Sequence, residues 1–146
     1  MERMTHTVTM ARKATSHRIM FYSHDTFGLG HLRRSRALAT ALTKGDDKAS
    51  AIILTGSPVA GRFTFPERVD HIRLPGVTKL PDGSYVSQTL GMDIDQTTSL
   101  RAGLIQTSVE QYQPDLLIVD KEPTGFRGEL LPTLEWLHAK GNIPCV

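Results

Sequence analysis

The chain has 146 residues, 39% of them hydrophobic and 22% charged, with a formal net charge of +2 and a single cysteine, Cys145. That is one domain's length with the apolar content of an ordinary globular protein. It excludes an internal disulfide and a cysteine zinc site, and no apolar run approaches the ~18 residues of a membrane span. Arg3, Arg12 and Lys13 face only Glu2 in the first seventeen residues, so the rest of the chain is neutral and offers no basic surface for nucleic acid. Residues 1–17 lack the apolar core of a secretory signal. They are read as a disordered tail on a cytoplasmic protein.

Strand and helix signals alternate from there on. A buried strand covers Ile19–Ser23, a glycine loop His24–Gly30, and a helix His31 to Thr43 with Leu32, Ser35, Leu38, Ala39 and Leu42 on one face. Gly45-Asp46-Asp47 ends that helix. A second strand runs Ser50–Thr55, a short turn Val59–Phe63, and a third strand Val69–Leu74. From Pro75 to Gly91 there is Pro, Gly, Asp and Ser punctuation without an apolar period, which reads as a long binding loop or lid. A helix over Asp93–Tyr112 buries Leu100, Leu104, Ile105 and Val109. A strand Leu116–Asp120, a loop Lys121–Gly128 and a helix Glu129–Lys140 follow, and Pro144-Cys145-Val146 opens a fifth strand.

Short apolar strands alternating with helices predict an α/β fold, a Rossmann-like doubly wound parallel sheet. In such a sheet ligands bind outside the carboxyl ends of the strands. Those ends are Ser23–His31, Thr55–Ser57, Pro75–Lys79 and Asp120–Glu122. A chain that stops inside a strand reads as the N-terminal part of something longer.

The glycine loop is not a dinucleotide fingerprint. Gly28-Leu29-Gly30 supplies two glycines, but Arg33 occupies the third position, and the second strand ends in Thr55-Gly56 without an acid for a ribose. It also lacks the Gly-Lys-Ser/Thr ending of a phosphate-binding P-loop.

His31 opens the helix. Either it bonds the local backbone, or it faces the crevice as a neutral base, its cationic form disfavoured by the helix dipole. Asp25, beside His24, orients a histidine or caps a turn. Arg33, Arg34 and Arg36 oppose the helix dipole, so they pair with carboxylates or hold an anion. Asp120 and Glu122 end the best strand, as ligand contacts or as a salt-bridged turn. Lys79, Asp82, Ser84 and Tyr85 reach a ligand from the long loop or are simply solvated.

The run Phe21-Tyr22-Ser23-His24-Asp25-Thr26-Phe27-Gly28-Leu29-Gly30-His31-Leu32-Arg33-Arg34 resembles the opening of a family of bacterial glycosyltransferases with the GT-B fold, related to glycosyltransferase family 28. Leu54–Pro58, Leu74–Pro81 and Val119–Pro123 resemble the same family, so the likeness covers nearly all of residues 18–146. It implies two Rossmann-like domains facing a cleft. The N-terminal one, here residues 18–146, holds mainly the acceptor, and an absent C-terminal domain holds the nucleotide sugar. The family's Gly-Gly-His-like turn is matched by Gly28, Gly30 and His31, with Leu29 interrupting the double glycine.

The implied reaction moves a hexosyl group from a nucleotide sugar to an acceptor hydroxyl, with inversion and with no cofactor or metal at the reacting centre. The implied residues are His31 as the catalytic base, and His24, Asp25, Gly28, Gly30, Arg33, Lys79, Asp120 and Glu122 as substrate contacts. Contact with a membrane surface is implied only for a lipid-linked acceptor. On this reading the chain alone is catalytically silent. A nucleotide-sugar 2-epimerase half-domain and a stand-alone flavodoxin-like binding module are the alternatives.

Overall fold

The computed structural model describes residues 16–26, 28–141 and 143–146. Most of the expected tail, residues 1–15, therefore lies outside the described residues, and His17 is already the first residue of strand β1 (His17–Ser23). The elements continue as α1 (Gly30–Gly45), β2 (Ala49–Thr55), a 3-10 turn (Ala60–Arg62), β3 (Val69–Arg73), β4 (Val77–Lys79) and β5 (Tyr85–Ser87). After them come α2 (Ile94–Tyr112), β6 (Leu116–Val119), a second 3-10 turn (Phe126–Gly128) and α3 (Leu131–Lys140).

Four strands form one parallel sheet in the order β3-β2-β1-β6. Cys145 bridges Leu117 in parallel, so residues 144–146 lie beside β6 at the position of a fifth strand. The first strand of the sheet thus lies between the second and the fourth, and the chain reverses its direction of travel between β1 and β6. Such a switch point opens a crevice at the carboxyl edge.

Both faces of the sheet are covered, which is why β1 reads as an unbroken apolar run. Ile19, Phe21, Ala51 and Ile53 pack with Leu32 and Ala39 of α1 on one face. Met20, Tyr22, Leu54 and Leu117 pack with Ile105, Val109, Leu130 and Leu137 on the other. A parallel sheet flanked by helices is the expected α/β, Rossmann-like class.

The helix faces differ from the expectation. In α1 the buried stripe is Leu32, Ser35, Ala39 and Thr43, while Leu38 and Leu42 stay 45% and 40% exposed. The small residues Ser35 and Ala39 let the helix lie close to the sheet, and the larger leucines flank the contact. In α2 the stripe is Thr97, Arg101, Ile105 and Val109, with Leu100 and Leu104 39% and 41% exposed. A charged residue takes the core-facing position because a partner waits there. The Asp93 carboxylate caps α2 by accepting from the Asp95 amide at 2.8 Å.

Residues 75–91 are not an unstructured loop. β4 and β5 pair as an antiparallel hairpin, with Val77 opposite Ser87 and Lys79 opposite Tyr85. Pro81-Asp82-Gly83 makes the turn: Gly83 has φ +88°, and the Asp82 carboxylate accepts from the Ser84 amide and hydroxyl at 2.9 and 2.6 Å. Those bonds hold the Asp82 carboxyl below its ordinary range. α3 begins at Leu131 instead of Glu129, because Arg127 takes φ +50° and breaks the turn, and Pro132 then starts the helix.

Candidate functional site

The carboxyl edge of the sheet gathers the chemistry. His31 stands in the first turn of α1, directly after the β1 loop, and Asp120 follows β6. These are the two strands of the switch point. His31 Nδ1 and Asp120 Oδ2 are 2.5 Å apart, and both side chains are largely buried, at 24% and 12% exposure. The other Asp120 oxygen accepts from Arg34 Nη1 at 2.8 Å. Asp120 is thus turned onto His31 and Arg34, with both carboxylate oxygens engaged.

A carboxylate at Nδ1 selects the tautomer with the proton on that nitrogen and leaves Nε2 as an acceptor, an assignment made from the hydrogen-bond geometry. This is the pairing by which an aspartate prepares a histidine to take a proton and then stabilises the imidazolium. The helix start places the ring. Leu29 gives α1 no side-chain cap, and its first turn carries no acidic residue.

His24 lies behind this pair, buried, with its ring centroid 6.1 Å from that of His31 and edge-on to it. Nδ1 of His24 has no hydrogen-bond partner among the described residues. Burial, then the nearby charges of Lys121 and His31, push its pKa below the ordinary 6.5, against an opposing pull from Glu122 and Glu129. His24 is thus a neutral ring at physiological pH, supporting the site without carrying charge.

A second feature lies on the other side of the β1 loop. A cavity of about 360 Å³ is walled by the loops that follow β1 and β2 and by Val77, Thr78 and Gln88 of the β4–β5 hairpin and its end. Asp25, Gly28, Leu29, Gly56, Ser57, Val77 and Thr78 are among its lining residues. Gly28 takes φ +73°, a backbone shape that favours glycine, and so allows the loop to turn into α1. Asp25 is buried, and its carboxylate accepts from the Thr55 hydroxyl. Among the described residues it neither caps a turn nor orients a histidine.

The other expected contacts are more scattered. Gly30 is the first residue of α1, and Arg33 is exposed one turn on. Arg36 donates from Nε to the Thr64 carbonyl at 2.6 Å. Glu122 is exposed at the rim. Lys79 is exposed on the hairpin, its ammonium 5.9 Å from the Tyr85 ring centroid, and does not line the cavity.

Sequence reasoning missed the buried network under the site. Arg101 donates to both Glu129 oxygens at 2.8 Å and to the Pro75 carbonyl at 2.7 Å. Tyr22 donates its hydroxyl to Glu129 at 2.6 Å and accepts from the Phe126 amide at 2.8 Å. Burial, reinforced by Glu129, raises the tyrosine pKa well above its ordinary value. Burial alone would lower that of Arg101, but the bonds to Glu129 outweigh it and the net shift is upward. This network locks β1, α2 and the turn before α3 to Pro75, two residues before Val77 of the cavity wall. The available signal was an arginine at the core-facing i, i+4 position between Thr97 and Ile105.

Among the described residues no group of three or more His, Cys, Asp or Glu is placed to hold a metal ion, and no helix is long and apolar enough to cross a membrane. No protein-family model matches the chain, and no curated protein does. Among solved structures the chain is similar to a ugt transferase from Siraitia grosvenorii in complex with UDP, at 16% identity and a TM-score of 0.43. The match covers 70% of this chain, which spans 18% of that neighbour's length. A likeness this distant carries no argument about function.

Proposed function

We propose that this chain is the acceptor-side half of a glycosyltransferase, with His31 as the general base. The hydrogen-bonded His31–Asp120 pair at the β1/β6 switch point is the observation that carries this reading. The glycine-loop run from Phe21 to Arg34, similar to the opening of family 28-like GT-B enzymes, supports it.

His31 Nε2 takes the proton of an acceptor hydroxyl while that oxygen attacks the anomeric carbon of a nucleotide sugar. The bond from that carbon to the phosphate oxygen breaks, and the nucleoside diphosphate leaves with the electron pair. Asp120 holds the tautomer and offsets the positive charge that develops on the ring. Arg34 fixes the second oxygen of Asp120 and so its rotamer. Residues 18–146 supply the acceptor side, and a second Rossmann-like domain supplies the donor. The partners are thus a nucleotide sugar and a hydroxyl acceptor in the cytoplasm.

In a polypeptide carrying both halves, His31→Ala removes a positioned base and should lower turnover by ~10²–10⁴ with folding intact. The measurement is nucleoside diphosphate release at saturating donor. Unchanged turnover would take His31 out of the mechanism.

A further inference from the structure

The Asp25 carboxylate lies just beyond β1 in a position that no group among the described residues completes. Only 6% of the residue is exposed. One oxygen accepts from the Thr55 hydroxyl, and the other, Oδ1, is buried without any hydrogen-bond partner among the described residues. Thr55 has no second donor to give, since its one hydroxyl proton already goes to the first oxygen. No lysine, arginine or histidine among the described residues forms an ion pair with Asp25. The Arg101 guanidinium reaches the neighbouring Gly56, but its hydrogen bonds go to Glu129 and the Pro75 carbonyl.

A buried anion with neither counter-ion nor full hydrogen bonding is costly to maintain. Asp25 also lines the cavity of about 360 Å³, among whose lining residues there is no basic side chain. The missing partner therefore matches a group that enters from the cavity, and the chemistry asks for a positive charge that donates hydrogen bonds. The same carboxylate repels phosphates and carboxylates. The rest of the wall is mixed: Leu29, Val59 and Val77 offer an apolar surface, and Ser57, Thr78 and Gln88 offer polar groups. That pattern suits a ring with one C–H face and a rim of hydroxyls. The volume lies at the small end of ligand pockets, ~300–1,000 Å³.

We propose that this cavity binds a protonated amine carried on a monosaccharide-sized polyol, with the ammonium donating to Asp25. The proposal rests on the acceptor-side reading for its choice of a sugar-like body, and on Asp25 alone for the amine.

The test is a titration of the whole 146-residue chain followed by amide chemical shifts, with glucosamine, glucose and N-acetylglucosamine as probes. The pH is held near about 6, below the ~7.7–8.0 of an α-amino group. Amides of Thr26, Gly28, Ser57, Val77 and Thr78 should move with glucosamine at a concentration about tenfold or more lower than with glucose, the ratio expected of a charge-assisted bond. N-acetylglucosamine, with its charge removed, should show none of that advantage. In Asp25→Asn, glucosamine and glucose should become equal. Should that variant fail to fold, the three probes against the wild-type chain decide the matter unaided.

Equal binding of glucosamine and glucose, or a preference that survives in Asp25→Asn, overturns the amine and leaves the hydroxyl-acceptor reading standing. No shift of the cavity amides with any probe overturns the proposal, whereas the role of His31 is read from turnover and is untouched by that result.

Discussion

Replacing Arg101 by methionine should break the ion pair it forms with Glu129 in the core. Its side chain is 1% exposed and that of Glu129 0%, and the two share paired 2.8 Å bonds. The substitution keeps an unbranched stem of similar reach but leaves Glu129 buried with only the Tyr22 hydroxyl. It also strips the Pro75 carbonyl of its donor. Breaking one side of a buried pair costs about 3–5 kcal/mol, a large part of the ~5–15 kcal/mol that holds a domain together.

The double variant Arg101→Met with Glu129→Met removes both charges at once. It should recover part of the loss, because the surviving Tyr22 hydroxyl then accepts only from the Phe126 amide and no unpaired charge stays inside. Urea unfolding of the wild type, both single variants and the double closes the cycle. A loss under about 1 kcal/mol for Arg101→Met, or strictly additive single losses, would refute the reasoning.

Two glycines, Gly56 in the cavity wall and Gly76 just before Val77, separate a rigid neighbour from a soft one. A Cβ at Gly56 would sit 2.8 Å from Arg101 Nη1, which is locked in the buried network. Gly56→Ala should therefore cost about 1–3 kcal/mol by thermal or urea unfolding. A Cβ at Gly76 would meet Gln88 Oε1 at 2.1 Å, the free end of an exposed side chain. Gly76→Ala should cost less than about 1 kcal/mol, and the opposite ranking would show the network to be loose. Because the folded-state pKa of His24 is depressed below 6.5, the unfolded chain takes up that proton first as pH falls. Its stabilising contribution is complete above 6.5 and is lost as pH drops through the folded value. His24→Gln should flatten the stability profile as pH falls below 6.5, and an unchanged slope would show His24 to be solvated.

The sheet was legible because parallel strands covered on both faces read as continuous apolar runs, as Ile19–Ser23 and Ile52–Thr55 do. The helix faces were less so. Choosing the buried stripe by residue type favours Leu100 and Leu104, yet the packing of α2 is set by Arg101 meeting Glu129, a partner 28 residues away whose place only the fold determines. The hairpin was hidden because strands of three residues are too short to display alternation, although Pro81-Asp82-Gly83 carried a turn signal. For the site, the position of His31 at a helix start and of Asp120 at a strand end could be read from local pattern. The bond between them depends on β1 and β6 being neighbours in the sheet, and nothing local specifies that adjacency.

A long-range proton–nitrogen correlation spectrum of the His31 ring, recorded where the ring is neutral, tests the central pairing most directly. Protonated Nδ1 with a bare Nε2, lost on Asp120→Ala, is the pattern required of a base held ready by its carboxylate. A wild-type ring with its proton on Nε2 would contradict it.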